Sequence, residues 1–508
     1  MELQHKITSV ISLILITALL FYCSTLEMRS TQNAEEGGAW YSRSDTIYFW
    51  YSDEDLTDYV NKAAVSFGEE NNVHVLPMLI THDDYLEAVN EASIANNELP
   101  DAYIIGHESL EMAYLAGLAV PINDPERLCS KDNFSQAALN AVTYSDKLVG
   151  YPLSYDTCAL VYNEDYLHDW ANQKALAILK GEGESFVDGE YFEEIEIKDT
   201  TEGESSEQTV ESTEAAAETV TEAATAVTEE VDYDYDNLSE EEQASLLASK
   251  TEEVYAAAIP ETLNELLTIA DSYSAPAGVD GVMSWDVSDI LFNFWIVGDV
   301  VDLGGESGDD KNNIVFNNTE TVNALLRYQH LHQFFNVESA LNSYDKVIND
   351  FINGKMIFTI CSVDGVEKLK EAKDNGTLQH EYGFASIPEV DENTLSRSMS
   401  MTEVVVVNGY SEKKDIANAF ARYLTCEFAG ELYARTGKAA CNIHANEGYE
   451  NLDVFDTEYA DSVPLPKIIE LENFWMELEA LFARVWNGED VATQLQGLDD
   501  TVRLFFTR

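Results

Sequence analysis

Strand and helix patterns that alternate along most of this 508-residue chain predict an α/β protein of two globular lobes, built on mainly parallel sheets with helices on both faces. Three observations carry that class. The length exceeds one typical domain and suffices to bury two cores. The composition, 45% hydrophobic and 11% aromatic, supplies the side chains to fill them. The alternation itself begins at Asp45 and is broken only by one long acidic stretch.

The elements follow in order. Lys6 precedes an uncharged apolar run, Ile7 to Tyr22, which has the length of a signal-peptide core and is short for a stable membrane span. Cys23 ends the run where a bacterial lipoprotein is cleaved and lipidated, although Phe21 and Tyr22 stand where small residues are normally required. Residues 1–23 therefore read as a signal or lipoprotein segment, cleaved or kept as an anchor, with the body facing outward. Residues 24–44, with Ser30, Gln32, Gly37 and Gly38, read as a spacer. Thr46 to Tyr51 is a strand, Asp55 to Asn71 a helix, Val73 to Leu79 a strand, Tyr85 to Asn97 a helix and Ala102 to Ile105 a third strand. Residues 180–250, crowded with Glu, Thr and Ala, carry too little apolar surface to offset ordering entropy and read as a disordered or loosely helical insertion. Its Tyr233 and Tyr235, flanked by Asp, are the feature suggestive of contact. Pro260 to Tyr273 is an amphipathic helix and Ile314 to Phe316 a strand. Helices at Glu320–Asn336 and Tyr344–Asn353, then strands at Met356–Cys361, Tyr382–Ile387 and Glu403–Val407, come next. The chain closes on helices at Glu412–Thr425, Glu427–Thr436, Pro466–Val485 and Val491–Phe505.

Charge removes several functions. With 94 acidic against 28 basic residues the net charge is −66, so neither a phosphate backbone nor an anionic lipid surface suits the body. Nucleic acid is excluded as a partner. The five cysteines beyond Cys23 (Cys129, Cys158, Cys361, Cys426 and Cys441) are odd in number and scattered without CxxC spacing, which reads as buried thiols. The nine histidines form no metal cluster, and GxSxG, HExxH and P-loop motifs are absent, so no cofactor, metal or catalytic residue is expected.

Several stretches in fixed order then carry a resemblance. Leu99-Pro100-Asp101, Ala113 to Pro121, Gly150 to Leu167, Pro260 to Tyr273, Asn353 to Met356, and Ala419 to Ile443 with its core Tyr433-Ala434-Arg435-Thr436-Gly437 resemble the family 1 extracellular solute-binding proteins of ABC transporters. The likeness is to the maltose-binding and Gram-positive sugar-binding lipoprotein type, and it covers almost everything from Asp45 onward except the acidic insertion. It implies a two-lobed, hinge-linked periplasmic-binding-protein-like fold of type II. The first lobe would be 45–150 with 362–405, and the second 155–360 with 408–508, with hinge crossings near Pro152, Cys361 and Val407. The implied function is capture of a sugar or oligosaccharide between the lobes by a monomer at the outer face of the cell membrane, for delivery to ABC permease subunits.

A sugar site needs aromatic platforms beside carboxylates or amides. Tyr51, Asp53 and Glu54 follow the first strand, and His107 and Glu108 follow the third, where open α/β sheets bind ligands. Tyr155 and Asp156 follow from the resemblance, Asp156 matching a sugar-binding acid of the maltose-binding members. Trp285 and Asp286 come after a Gly-rich approach, and Trp475 matches a helix-borne stacking aromatic of those members, whereas Trp295 and Trp486 read as core. Asp53 and Glu54 equally suit a helix start. After Cys361 the maltose-binding members carry a tryptophan-bearing segment where this chain has Ser362, Val363, Asp364 and Gly365, so maltose specificity does not carry over, and Asp364 joins the ligand-binding candidates. Three rival readings remain: a polyamine or other organic cation in the same cleft, a sensor ectodomain of the same fold, and a glycosidase using Asp53 with Asp156.

Overall fold

In the computed structural model, residues 46–192 and 235–506 are described, apart from residues 83, 96–98, 187, 188, 190, 336, 339–341 and 392. The apolar N-terminal run, Cys23, the 24–44 spacer, Tyr233 and the middle of the acidic insertion lie outside the described residues.

β1 (Thr46–Tyr51) buries Ile47 and Phe49 completely. The Asp53 carboxylate accepts from the Asp55 N–H, opening a short 3₁₀ turn that runs into α1 (Thr57–Asn71). β2 (His74–Leu79), α2 (Tyr85–Ala95), β3 (Ala102–Gly106), α3 (Leu110–Leu115) and α4 (Gln136–Ala141) follow. A hairpin of β4 (Thr143–Tyr144) and β5 (Lys147–Leu148) precedes β6 (Tyr151–Asp156), β7 (Cys158–Asn163) and α5 (Glu164–Leu179). Beyond the insertion come α6 (Glu240–Tyr255), α7 (Leu263–Ser272), β8 (Asp302–Leu303), β9 (Ile314–Val315), α8 (Thr319–Leu331) and α9 (Tyr344–Ile352). The rest is β10 (Phe358–Ser362), α10 (Asp364–Asp374), β11 (Tyr382–Ala385), β12 (Met399–Val407), α11 (Lys414–Arg422), α12 (Leu432–Thr436) and β13 (Ala439–Ala440), then α13 (Leu452–Asp461), β14 (Val463–Pro464), α14 (Phe474–Trp486) and α15 (Val491–Phe505).

Two sheets organise these elements. The larger runs β13-β6-β12-β3-β1-β2, with β14 added beside β12. β1 is parallel to β2 and β3, but β12 is antiparallel to both β3 and β6. The smaller sheet, β10-β7-β11, is antiparallel throughout, which departs from the mainly parallel expectation. β7 takes its partners from far along the chain instead of through adjacent strand-helix-strand crossovers. All of β7 is buried because successive side chains enter different cores: Cys158, Leu160 and Tyr162 on one face, Ala159 and Val161 on the other.

The expected lobe boundaries are corrected by packing. α11, assigned above to the second lobe, lies on the large sheet, with Phe420 edge-on to Phe49 at 5.1 Å and against Phe67 at 5.3 Å. The Tyr59 hydroxyl donates to Leu424 O at 2.6 Å on the same side. α10, assigned above to the first lobe, packs instead on β10 of the small sheet and on α9. The chain leaves the large sheet at Thr157, between β6 and β7, and returns between Ala385 and Met399; Pro152 and Cys361 lie inside strands. Thr157 Oγ1 donates to Met399 O at 3.0 Å, tying the outgoing and returning segments together. Trp285, Trp295, Tyr328, Phe482 and Trp486 fill the core of the second body.

Part of the stretch read as an insertion is helical. α6 starts at a capping box, Ser239 with Glu242, and packs on α5, where Asn172 Nδ2 donates to the buried Thr251 Oγ1 at 3.1 Å. Among the described residues no helix is long and apolar enough to cross a membrane. Cys129, Cys158, Cys361 and Cys441 are buried free thiols and Cys426 is half-buried.

Candidate functional site

Where β6 and β12 run out against α10, the two bodies enclose a cavity of about 810 Å³. The large sheet contributes Ser154, Tyr155 and Asp156 from β6, Met401, Thr402 and Glu403 from β12, and Glu108 just beyond β3. Register sets this wall: β12 pairs with β6 so that Glu403 stands opposite Ser154 and Met401 opposite Asp156. The Ser154 hydroxyl donates to Glu403. Tyr155 lies flat on Tyr459, ring centroids 4.0 Å apart, while its hydroxyl donates to Asp456 at 2.7 Å. The facing wall is the first two turns of α10, with Val363, Asp364, Glu367, Lys368 and Glu371. α12 and the residues after it close one side, Gly437 taking φ 71° to end the helix and turn the chain so that Lys438 enters the cavity.

The cavity is acidic. Lys438 Nζ lies 2.7 Å from Asp53 and 3.6 Å from Glu403. Burial works to lower its pKa, but these carboxylates outweigh burial and hold it above the usual lysine range. Lys368 pairs with Asp364 at 2.7 Å and Asp345 at 3.3 Å, and Arg435 with Asp58 at 2.7 Å and Glu431 at 2.8 Å. The Tyr344 and Ser362 hydroxyls also donate to Asp364, at 2.5 and 2.7 Å. Burial would raise Asp364, yet these bonds and Lys368 hold it below the ordinary carboxylate value. Asp156 is the opposite case. Burial pushes it up to about 7 against the pull of the Val363 N–H, which it accepts at 3.1 Å, and nearby Asp364 pushes the same way. Glu108 is raised too, mainly by loss of bulk water and further by Glu403.

Of the residues singled out from sequence, Glu108, Tyr155, Asp156 and Asp364 meet in this cavity. Asp53 reaches it through its ion pair with Lys438. Tyr51 is buried, its hydroxyl donating to Thr57 Oγ1 at 3.3 Å, and Glu54 sits exposed in the turn before α1. His107 is fully buried behind β12, where Nδ1 accepts from the Thr402 N–H at 3.1 Å and Nε2 donates to Leu465 O at 3.0 Å. Burial drives its pKa down to about 3, so it is a neutral structural post. Trp285 is 0% exposed in the second core, edge-on to Trp486 at 5.2 Å, with its indole N–H donating to Asn293 Oδ1 at 2.9 Å. The Gly-rich approach that placed it in the cleft leads into the core instead. Asp286 is buried beside it and accepts from Ser288 N and Tyr344 N at 2.9 and 2.8 Å, starting α9. Trp475 packs on Phe294 and Phe474, away from the cavity. Sequence reasoning missed Thr402, Glu403, Glu367, Lys368, Glu371 and Lys438; only Tyr433 to Gly437 carried a signal, as a stretch of the resemblance. Among the described residues no group of three or more His, Cys, Asp or Glu side chains is arranged to hold a metal.

No protein-family model and no curated protein matches this sequence. Solved structures do. An extracellular solute-binding protein from Staphylococcus aureus, in complex with maltose, superposes with a TM-score of 0.65 at 16% identity, over 92% of this chain and 99% of its own. A cyclo/maltodextrin-binding protein complexed with maltotetraose gives 0.64 at 16% identity, over 92% and 98%. A maltose-binding periplasmic protein from Listeria monocytogenes, with maltose, gives 0.62 at 18% identity, over 92% and 99%. The chain therefore has the two-lobed α/β fold of these binding proteins.

Proposed function

We propose that this chain is the solute-capturing component of an ABC importer, taking a sugar or short oligosaccharide into the cavity between its two bodies and presenting it to a membrane permease. The observation that carries the reading is the cavity of about 810 Å³, enclosed by strand ends of one body and a helix of the other, in a fold whose solved relatives hold maltose or maltotetraose. A cavity of that size buries most of a one- to three-ring saccharide. Glu108, Tyr155, Asp156 and Asp364 are the proposed contacts. Closure of the bodies on the solute follows when the closed state gains contacts that the open one lacks. The apolar run Ile7–Tyr22 ending in Cys23 supports an N-terminal tether, lipid or peptide, with the body outside the membrane.

Binding without chemistry is the reading favoured for the acids. The pairing expected of a glycosidase, Asp53 with Asp156, is disfavoured because Lys438 holds Asp53 at 2.7 Å. The test is thermal unfolding across mono-, di- and trisaccharides. A true solute at about a thousand times its Kd stabilises by about 4 kcal/mol, and an unmoved midpoint with every saccharide defeats the proposal.

A further inference from the structure

Among the charged side chains that line the cavity, those without a cationic partner are all acids. The cations that line it are engaged: Lys438 by Asp53 and Glu403, Lys368 by Asp364 and Asp345, Arg435 by Asp58 and Glu431. Apart from the Tyr433 phenol, the hydroxyls of the lining are engaged as well. Ser154 donates to Glu403, Tyr155 to Asp456, and Thr436 to Leu432 O, while Thr402 Oγ1 bonds the Tyr459 hydroxyl at 2.8 Å. Against these stand Asp55, Glu108, Asp156, Glu367 and Glu371, which line the cavity without a cationic side chain in ion-pair contact among the described residues. The nearest basic group to Glu108 is His107 at 3.9 Å, whose facing nitrogen is already accepting from Thr402.

A neutral saccharide hydroxyl both donates and accepts, so a cleft built for it offers donors as well as acceptors. An ammonium group donates three hydrogen bonds and accepts none, and its charge relieves the repulsion among clustered carboxylates. Resting on the reading of this cavity as the solute site, we infer that the solute carries at least one primary ammonium group, which sits between Glu108 and Asp156. The sugar scaffold proposed above makes an aminated saccharide the first candidate, and an aliphatic polyamine presents the same group without the ring. Aromatic platforms point the same way. Tyr155 and Tyr433 are the aromatic side chains of the lining, and the Tyr155 ring is already stacked on Tyr459, so ring stacking is a smaller part of recognition here.

The experiment is calorimetric titration of the full chain with four probes: glucosamine disaccharide, its N-acetylated form, maltose and spermidine. N-acetylation removes the charge and keeps the rings, so the contrast is made on the ligand and needs no variant that might fail to fold. The expected result is that glucosamine disaccharide binds at least about tenfold more tightly than its N-acetylated form or maltose, equivalent to about 1.4 kcal/mol. Its affinity should also fall severalfold between about 0.05 and about 0.5 M salt, with charge-driven capture screened. Asp156→Asn should remove most of the difference between the aminated and acetylated probes. Maltose or the acetylated disaccharide binding equally well overturns the inference while leaving the sugar reading intact. Spermidine binding in place of every saccharide supports the ammonium site and overturns the sugar reading, and silence from all four defeats both.

Discussion

Glu111, in α3 of the first body, accepts a hydrogen bond from the Ile469 N–H of the second body at 2.7 Å. The same carboxylate takes the Tyr144 hydroxyl at 3.0 Å and lies 3.3 Å from Lys311 Nζ. Only 3% of Glu111 is exposed, so it pins the bodies together away from the cavity mouth. Ser145 N adds a bond to Asp309 at 2.7 Å, and Lys467 Nζ donates to Asn140 O at 2.9 Å beside it. Glu111→Ala strands the Ile469 N–H and the buried Tyr144 hydroxyl while Lys311 keeps Glu470 at 2.6 Å, and should destabilise the chain by about 2 kcal/mol. Urea unfolding measures this, and a midpoint within error of the parent would show that the contact contributes nothing.

Lys467 and Glu458 set opposing pH dependences. Burial pushes Glu458 up to about 7, opposed by bonds from Ser386, the Ile387 N–H and Ser398. A carboxyl raised in the fold binds its proton more tightly there than when unfolded. Its contribution is fully present below the unfolded value near 4.5 and is lost as pH rises through about 7. Burial takes Lys467 down to about 7, opposed by Asp309, so its penalty is largest at and below that pH and is relieved as pH rises toward the ordinary lysine value of 10.5. Glu458→Gln should therefore flatten the loss of stability between pH 4.5 and 7, a change of about 3 kcal/mol over that window. Denaturant titrations at half-unit pH steps would read it, and parallel curves for parent and variant would refute the role.

Trp285 should matter for folding and leave recognition alone. Removing it opens the core between Trp486 and Phe335 and strands part of the Asn293 network, at a cost of about 3–5 kcal/mol. The folded fraction of Trp285→Ala should keep the parent's affinity for solute. A normal unfolding midpoint with lost binding would return this residue to the cleft.

Lys438 lowers the pKa of Asp156 across the cavity. Lys438→Met should thus raise the Asp156 midpoint from about 7, followed by carboxyl-carbon NMR titration; a downward or absent shift would contradict the charge map.

Local pattern was legible in the sequence where it was strong. Thr46–Tyr51 and Val491–Phe505 have the boundaries read from residues alone, because each presents one continuous periodic face to a core. α6 was hidden by composition, and its Ser239–Glu242 cap was the readable signal. The cavity was half legible. Glu108 follows a strand and can be placed by topology, and Asp156, the last residue of β6, comes from the resemblance, but Glu403 and Lys438 enter through the long-range register of β12 on β6 and the left-handed Gly437. Neither is written locally. Trp285 failed for the same reason in reverse: residue type suggests a platform, and only packing reveals a core.

The claim that the cavity holds the solute is tested most directly by filling it. Glu367 is exposed on the cavity face of α10. Glu367→Trp places an indole in that space without touching either core. Calorimetric titration with whichever probe shifts the parent's unfolding midpoint should show binding lost, by at least about a hundredfold or about 2.7 kcal/mol, with the variant's own midpoint unchanged. Full affinity in the filled variant would contradict the assignment and move the binding site elsewhere on the molecule.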